Sequence, residues 1–223
     1  MSRLLVLRPE PGAGATMRRA AAMGIEALSY PLFAIDPVAW TPPDPAGFDA
    51  LMLTSANAVR MAGDALAQYR NLPAYAVGQC TADALAQAGF DRIETGEADG
   101  SAVARKMAED GRRHVLHLRG QDGAPIDPGP LRITPAIVYA ACERGDATGL
   151  AAMLQPGITA LVHSARAGRR LAALTDDRQR PGISIVAISA AAQTACGEGW
   201  RAIAAAARPT DEAMLALARR LCD

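Results

Sequence analysis

A chain of 223 residues is long for one ordinary domain and long enough for two of about 110 residues each. Half of the residues are hydrophobic, which excludes wholesale disorder, because enough apolar surface exists to build a core. Basic and acidic residues are equal in number, 23 against 23, and only 4% of residues are aromatic. This composition argues against a nucleic-acid-binding protein, which needs a basic surface or aromatic stacking platforms.

Short apolar runs alternate with stretches of helical character along the chain. The apolar runs predict buried strands, and glycines after the helical stretches predict helix ends. In chain order, the sequence predicts a strand at 4–7, a helix at 15–23 ending at Gly24, strands at 27–30 and 50–53, a helix at 58–69, a strand at 75–77, a helix that follows the 78–81 turn and ends at Gly89, a helix at 101–109 capped by Ser101, and loops at 42–45 and 122–130. Strands that alternate with helices in this way predict an α/β fold with parallel sheets.

The apolar runs are all short. The first, at 4–7, is shorter than the ~7–15 apolar residues of a signal-peptide core. No run approaches the ~18 apolar residues that a membrane span needs. We therefore expect a soluble cytoplasmic protein with no membrane partner.

The cysteines and histidines do not form a metal-binding pattern. No C-x-x-C pair occurs, and the cysteines are widely separated, which argues against a disulfide framework and a structural zinc site. His114 and His117 are three residues apart in an apparent strand, so their side chains should point to opposite faces. We therefore expect no metal site, either at these histidines or at the four cysteines, which are Cys80, Cys142, Cys196 and Cys222.

The sequence repeats itself at a distance of 109 to 111 residues. Six pairs of segments match in one order, which chance does not readily produce even in an alanine-rich chain. The pairs are 7–8 with 118–119, 27–30 with 136–139, 55–58 with 164–167, 76–77 with 187–188, 89–90 with 199–200, and 101 with 210. We infer an ancient duplication of one α/β unit and expect two similar domains.

Small and hydroxyl residues follow several of the predicted strands. In open parallel sheets, ligands bind at the carboxyl ends of the strands, and helix N-termini there present backbone N–H groups that favour anions. The alternative for each single turn is plain capping of the helix that follows it. No phosphate-binding glycine motif, nucleophile elbow or Ser-His-Asp set is present, which argues against a nucleotide site and against nucleophilic catalysis.

A series of short motifs covers essentially the whole chain. The motifs are Leu7-Arg8-Pro9-Glu10, Phe48-Asp49-Ala50-Leu51 leading into Thr54-Ser55-Ala56-Asn57-Ala58-Val59, Ala76-Val77-Gly78 with Thr81-Ala82, Leu118-Arg119-Gly120, Val138-Tyr139, His163-Ser164-Ala165 and Pro209-Thr210. In their order, and in the length of the chain that carries them, they resemble the uroporphyrinogen-III synthase family of tetrapyrrole biosynthesis.

The resemblance implies a particular domain arrangement. One α/β domain would comprise 1–36 plus 143–223, and a second, inserted domain would comprise 40–139. Each would be a parallel sheet flanked by helices. A two-stranded linker would join them, with crossings at 33–38 and 140–144, and the active-site cleft would lie between them.

The resemblance also implies an activity. The family converts the linear tetrapyrrole hydroxymethylbilane to uroporphyrinogen III, a lyase reaction that loses water, inverts the last pyrrole ring and closes the macrocycle. It implies a small-molecule substrate, no nucleic acid, no metal or organic cofactor, and a monomer is expected. The alternatives are a catalytically degenerate two-lobed protein that senses a tetrapyrrole or another polyanion, and a doubly wound enzyme of unrelated chemistry.

Residues of the matching motifs are the implied site residues. Tyr139 would assist departure of the substrate hydroxyl as a hydrogen-bond donor or acid; the alternative is an ordinary half-buried strand tyrosine. Arg8, and then Arg119, would pair with carboxylates; the alternative for each is a solvated loop arginine. The implied substrate-binding residues are Arg8, Ser55, Ala56, Asn57, Gly78, Thr81, Ser101, Arg119, Gly120, Ser164 and Ala165.

The chain departs from the family pattern at three positions. Leu7 stands where the family often has Thr, Ser189 where it usually has Gly, and Ala192 where it usually has Thr. A serine at the glycine position would obstruct a left-handed backbone or a close approach. Loss of the threonine hydroxyl would remove a substrate contact.

Overall fold

The computed structural model describes residues 3–96 and 99–222, the last of them without its side chain. Contacts divide the chain into two compact units. Unit 1 comprises Met1–Ala34 and Cys142–Asp223, and unit 2 comprises Ile35–Ala141. The predicted domain boundaries, 1–36 plus 143–223 and 40–139, stay a prediction about which segments fold together.

Unit 1 is built on a sheet of five parallel strands. The strands are β1 (Leu4–Val6), β2 (Ala27–Ser29), β9 (Thr159–Val162), β10 (Ser184–Ala187) and β11 (Ala202–Ala205). They lie in the order β11-β10-β9-β1-β2. The helices are α1 (Gly12–Ala22), α5 (Ala147–Met153), α6 (Ala165–Leu174), α7 (Ala190–Ala195) and α8 (Asp211–Cys222), with a 3-10 turn at Arg180–Gly182.

The second sheet has six strands. They are β3 (Phe33–Pro37), β4 (Ala50–Leu53), β5 (Ala74–Val77), β6 (Ile93–Gly96), β7 (His114–Gly120) and β8 (Arg132–Glu143). They lie in the order β3-β8-β7-β4-β5-β6. The helices of unit 2 are α2 (Ala56–Met61), α3 (Gln79–Gln87) and α4 (Gly100–Glu109), with 3-10 turns at Pro45–Gly47 and Asp64–Tyr69.

The α/β fold is confirmed, but the second sheet is mixed and not purely parallel. Val38 N donates to Val138 O at 3.0 Å and Arg144 N donates to Leu32 O at 2.9 Å, so β3 runs antiparallel to β8. The chain passes from unit 1 into unit 2 along β3 and returns along β8, so the two strands run in opposite directions.

The repeat in the sequence corresponds to a repeat in the sheets. The order β11-β10-β9-β1-β2 in the first sheet matches β6-β5-β4-β7-β8 in the second, strand for strand at the sequence distance of the repeat. Each unit therefore combines strands from both copies of the duplicated sequence.

Apolar side chains cover both faces of each sheet, as expected for buried parallel strands. Along β1, Leu5 packs into the cluster on one face of the first sheet, and Leu4 and Val6 pack into the cluster on the other. In unit 2, Leu51 and Met52 divide between the two faces in the same way. The strands are thus held from both sides, which makes their ends rigid positions for a site.

Two sequence predictions about helices are wrong. The single helix predicted at 58–69 is two pieces, α2 and the 3-10 turn Asp64–Tyr69, because Gly63 has a φ of +67° and breaks the helical path. Ser101 does not cap α4. Asp99 does, by accepting a hydrogen bond from Ala102 N at 2.8 Å. Gly24 and Gly89, by contrast, follow their helices with positive φ as predicted.

The structure also bears on membrane spans and disulfides. None of the helices in the described part of the chain is long and apolar enough to cross a membrane. Cys80, Cys142 and Cys196 form no disulfide among the described residues, and the Cys222 side chain lies outside them.

We propose that the two units are the two folding domains. Each contains one of the two tryptophans of the chain: Trp200 lies in the core of unit 1, and Trp40 packs against the core of unit 2. We expect Ile185→Ala, in the unit 1 core, to cost about 3 kcal/mol of unfolding free energy in that unit alone. The midpoint of urea unfolding, followed by Trp200 fluorescence in a Trp40→Phe background, should therefore move to a lower urea concentration.

For Ile185→Ala, the unfolding midpoint reported by Trp40 fluorescence in a Trp200→Phe background should be unchanged. Leu85→Ala, in the unit 2 core, is the matched variant and should reverse the pattern. Equal shifts of both signals for either variant would show that the chain unfolds as one cooperative unit and would contradict the domain prediction.

Candidate functional site

The predicted site residues of unit 2 follow strands whose ends lie side by side. β4 pairs in parallel with both β5 and β7, so the turns after all three strands share the carboxyl edge of the sheet. Ser55, Ala56 and Asn57 follow β4, Gly78 follows β5, and Arg119 and Gly120 end β7. The structure therefore brings these residues to one edge.

Tyr139 lies directly against Gly120. The two residues are partners in the β7–β8 pairing. A Cβ atom added to Gly120 would lie 2.5 Å from Cζ and 2.8 Å from the hydroxyl oxygen of Tyr139. The phenol ring therefore rests on a bare Cα, and only glycine leaves room for it. Tyr139 is half-buried, and its ring also packs against the core of unit 2.

Arg119 is engaged by the loop that follows β7. Its Nε donates to Gly120 O at 3.1 Å and its Nη2 donates to Gly123 O at 2.7 Å. These bonds fasten the loop beside Tyr139. The predicted role of Arg119 as a carboxylate partner stays a prediction, and the structure shows its guanidinium bound to backbone carbonyls.

Ser55 caps α2 and thereby uses some of the polar groups of its turn. Its hydroxyl accepts a hydrogen bond from Asn57 N at 3.2 Å, and Arg60 Nη1 donates to the side-chain oxygen of Asn57 at 3.3 Å. The N–H of Asn57, a residue that the family resemblance implies binds substrate, is thus already paired. Ala56 is the first residue of α2.

Gly78 and Thr81 shape the turn after β5. Gly78 has a φ of +77°, which disfavours other residues, and its N–H donates to Gly96 O at 2.8 Å. Thr81 lies in the first turn of α3, is almost fully buried, and donates its N–H to Gly78 O at 3.1 Å. Both residues therefore have a structural role at the predicted substrate-binding turn.

The corresponding turn in unit 1 is built differently. Ser189 has a φ of −156°, an extended conformation open to any residue, and its hydroxyl caps α7 by accepting from Ala192 N at 3.3 Å. The backbone at Ser189 is therefore not left-handed, and the predicted obstruction by a serine side chain does not arise. Ala192 is fully buried, in the place where Thr81 is buried in unit 2.

Two further predicted serines make local hydrogen bonds. Ser101 Oγ accepts from Asp127 N at 3.1 Å and so attaches the 122–130 loop to α4. Ser164 caps α6 by accepting from Ala167 N at 3.1 Å, and Ala165 is the first residue of that helix. Ser164 and Ala165, with Arg8, lie at the carboxyl edge of the unit 1 sheet, where β9 and β1 are neighbours.

A buried histidine stands beneath the turn after β4. His117 is 3% exposed, and its Nε2 lies 3.4 Å from the Thr54 hydroxyl. Burial, and then the charge of Arg119, lowers the pKa of His117 to about 4, so this imidazole is neutral at pH 7. His114, three residues earlier on the same strand, is exposed. The two side chains therefore lie in different environments, one in solvent and one in the core.

A polar cluster of unit 1, centred on Asp211, was not predicted from the sequence. This carboxylate lies at the start of α8 and is 7% exposed. One oxygen bonds Arg8 Nη1 and His163 Nε2, both at 3.1 Å, and the other accepts from Thr16 Oγ1 and Arg19 Nη1, both at 2.8 Å. Four donors from three segments of the chain thus converge on one side chain.

The environment of Asp211 favours its charged form. Burial by itself raises the pKa of the carboxyl, but the hydrogen bonds from His163 and Thr16 and the charges of His163 and Arg8 outweigh burial and hold the pKa far below its ordinary value. His163 Nδ1 is buried without a hydrogen-bond partner. The only sequence signal was the acidic residue at the helix start, which is typical of any helix N-terminus.

The described residues contain no group of three or more His, Cys, Asp or Glu side chains that could hold a metal ion. The Asp211 cluster contributes one carboxylate and one imidazole, and two arginines surround it. This donor set favours an anion or an internal ion pair over a cation.

The cluster predicts a pH-dependent contribution to stability. We expect Asp211→Asn to lower the free energy of unfolding by about 2 kcal/mol at pH 7, because the charged acceptor of a buried network is lost. Since the folded-state pKa of Asp211 is depressed, this contribution is complete above the ordinary value of 3.8 and is lost as the pH falls below it.

Urea unfolding of wild type and of Asp211→Asn measures the difference between their free energies of unfolding. It should be constant between about pH 8 and about pH 5 and shrink in more acidic solution. Glu212→Gln is the control, because Glu212 also bonds Arg19 but is largely exposed, and it should cost less than ~0.5 kcal/mol. A difference for Asp211→Asn that widens on acidification would contradict the assignment.

Comparisons with known proteins agree on one family. The family model described as uroporphyrinogen-III synthase HemD matches residues 15–216. The chain is similar in structure to uroporphyrinogen-III synthetase from Helicobacter pylori 26695, with a TM-score of 0.70 and 19% identity over 99% of this chain and 100% of that one. It is also similar to a mutant uroporphyrinogen III synthase from the extremely thermophilic bacterium Thermus thermophilus, with a TM-score of 0.52 and 17% identity over 99% of each chain. No curated protein sequence gives a significant match.

At these identities, the similarity to the solved structures shows a shared fold. The family model goes further, because it matches residues 15–216 of the sequence itself. On that ground the chain belongs to the uroporphyrinogen-III synthase HemD family.

Proposed function

We propose that the protein catalyses the cyclisation of hydroxymethylbilane to uroporphyrinogen III. The hydroxyl of the terminal hydroxymethyl group is protonated and leaves as water, and the methylene carbon that remains is part of an electrophilic azafulvene. The last pyrrole ring attacks through its substituted carbon to form a spiro intermediate. This intermediate fragments and recloses with the last ring inverted, and loss of a proton completes the macrocycle. The net change is loss of one water, with no oxidation or reduction and so no redox cofactor.

Membership in the family and the placement of Tyr139 carry this proposal. Tyr139 stands at the carboxyl edge of the unit 2 sheet with its ring held on Gly120. Its hydroxyl makes no hydrogen bond to any residue within 3–96 or 99–222. A phenol that is fixed in place and has an unused donor can protonate, or hydrogen-bond to, a departing hydroxyl group.

The repeat offers an internal comparison for this tyrosine. Tyr30 follows β2 and is the counterpart of Tyr139 in the other copy. The Tyr30 hydroxyl accepts a hydrogen bond from Asp146 N at 3.2 Å. One tyrosine of the pair is thus used to fasten α5, and the other is available for chemistry.

Binding of the substrate falls to the turns at the two carboxyl edges. Hydroxymethylbilane is flexible and rich in carboxylates, and unaided closure would give the isomer without inversion. The enzyme therefore acts mainly by holding one folded geometry of the chain, which is positional catalysis. We propose that Thr81 and the Ser55–Asn57 turn in unit 2, and Arg8 and the Ser164–Ala165 turn in unit 1, bind its carboxylates.

One observation favours a second candidate, a binding protein without turnover. Ala192 replaces the threonine that the family pattern places in unit 1, so one hydroxyl is absent from that turn. Such a protein would hold a tetrapyrrole or another polyanion and release it unchanged.

The isomer formed from hydroxymethylbilane distinguishes the two candidates. Purified protein, supplied with freshly prepared hydroxymethylbilane, should yield the type III isomer after oxidation and chromatographic separation. Buffer alone is the control and should yield type I. Type I alone in the presence of protein would reject the synthase and favour the binding protein.

Removal of one hydroxyl tests the role of Tyr139. We expect Tyr139→Phe to lower kcat about 100-fold, the range typical of a lost general acid, with little change in KM. Tyr30→Phe is the matched control, because its hydroxyl is held by Asp146, and its kcat should stay within about twofold of wild type. Wild-type kcat in Tyr139→Phe would remove this residue from the mechanism.

A further inference from the structure

Arg8 extends from the carboxyl end of β1 and is held there at one of its nitrogens. Its Nη1 bonds Asp211 Oδ1 at 3.1 Å, and its side chain is 34% exposed. Its Nε and Nη2 make no hydrogen bond within the described part of the chain. One side of the guanidinium is therefore anchored, and two donors stay unused.

The same guanidinium lies on the bare backbone of Gly12. A Cβ atom at Gly12 would stand 2.4 Å from Nε, 2.7 Å from Cζ and 2.8 Å from Nη2 of Arg8. Gly12 is not among the glycines of positive φ, so its backbone suits other residues. What requires glycine here is the space that the guanidinium occupies.

The anchor itself is fixed by its other bonds. Thr16 and Arg19 of α1 and His163 after β9 all bond the carboxylate of Asp211. Asp211 is buried and cannot rotate without breaking these bonds. The Asp211 carboxylate is thus a fixed partner for the partly exposed Arg8 side chain.

We propose that Gly12 and Asp211 are positioning residues that hold the Arg8 guanidinium as a preformed fork for one carboxylate of the substrate. The proposal deepens the proposed function and rests on it. A planar guanidinium bonds a carboxylate through two parallel N–H groups, and Arg8 keeps Nε and Nη2 for this purpose. An arginine that is already ordered loses less conformational entropy when the substrate binds.

A methyl group at Gly12 tests the proposal without removing a charge. We expect Gly12→Ala to raise KM about fivefold with kcat within about twofold, because the fork is displaced but the chemistry is not. The atoms that the new Cβ meets are the end of a flexible side chain, so the variant should fold. Gly14→Ala on the same helix is the matched control, since its Cβ meets only the ends of the exposed Glu10 and Arg18 side chains.

A double variant separates positioning from a general structural effect. Arg8→Gln should raise KM about tenfold, and Gly12→Ala should add nothing to it, because the group that Gly12 positions is gone. Additive effects of the two changes would overturn the proposal. Asp211→Asn and Arg8→Lys, which remove the anchor and the fork, should each raise KM as Gly12→Ala does, and they carry the test if Gly12→Ala is unstable.

Direct binding distinguishes failure of this proposal from failure of the proposed function. Uroporphyrin III, a macrocycle with eight carboxylates, is titrated against each variant by tryptophan fluorescence. If wild type makes no type III isomer but binds uroporphyrin, and Gly12→Ala raises the Kd while Gly14→Ala does not, positioning stands and the synthase does not. If wild type turns over and Gly12→Ala changes neither KM nor Kd, positioning is overturned. A wild type that neither turns over nor binds uroporphyrin overturns both.

Discussion

Parallel pairing of strands is the constraint on which the rest of the structure depends. A parallel partner is reached only through a crossover, so the carboxyl ends of successive strands meet at one edge of a sheet. In unit 1 this brings Arg8 and His163 together, although 155 positions of sequence numbering separate them. In unit 2 it places the turns after β4, β5 and β7 side by side. The candidate chemistry of both units therefore lies at strand ends.

Each copy of the duplicated sequence is divided between the two units. β1 and β2 of the first copy share a sheet with β9, β10 and β11 of the second, and β4, β5 and β6 of the first copy share a sheet with β7 and β8 of the second. Neither half of the chain contains a complete sheet. Periodicity alone could not show this, because equivalent strands in the two copies present the same pattern, and only long-range contacts decide which copy each strand joins.

Most polar groups at the two edges are already used by the protein. Arg119 bonds backbone carbonyls, Arg8 bonds Asp211, and Ser55 and Ser164 cap helices. This agrees with a reaction that depends more on geometry than on many reacting side chains. Two glycines contribute by their lack of a side chain: Gly120 leaves room for the Tyr139 ring and Gly12 for the Arg8 guanidinium. At both positions the spare volume lies beside the group that the proposed mechanism uses.

The sequence by itself determined the α/β class, the strands at 4–7, 27–30, 50–53 and 75–77, the duplication and the family motifs, because these depend on local periodicity, on turn residues and on order along the chain. It predicted wrongly where a local choice had close competitors, as in the break at Gly63 and the cap at Asp99. Only the tertiary structure decided that β3 runs antiparallel to β8, that Tyr139 lies on Gly120, and that Asp211 is buried among Arg8, Thr16, Arg19 and His163. These features are contacts between residues far apart in the chain, and the burial and charge of each partner are set by the other, so no local pattern contains them.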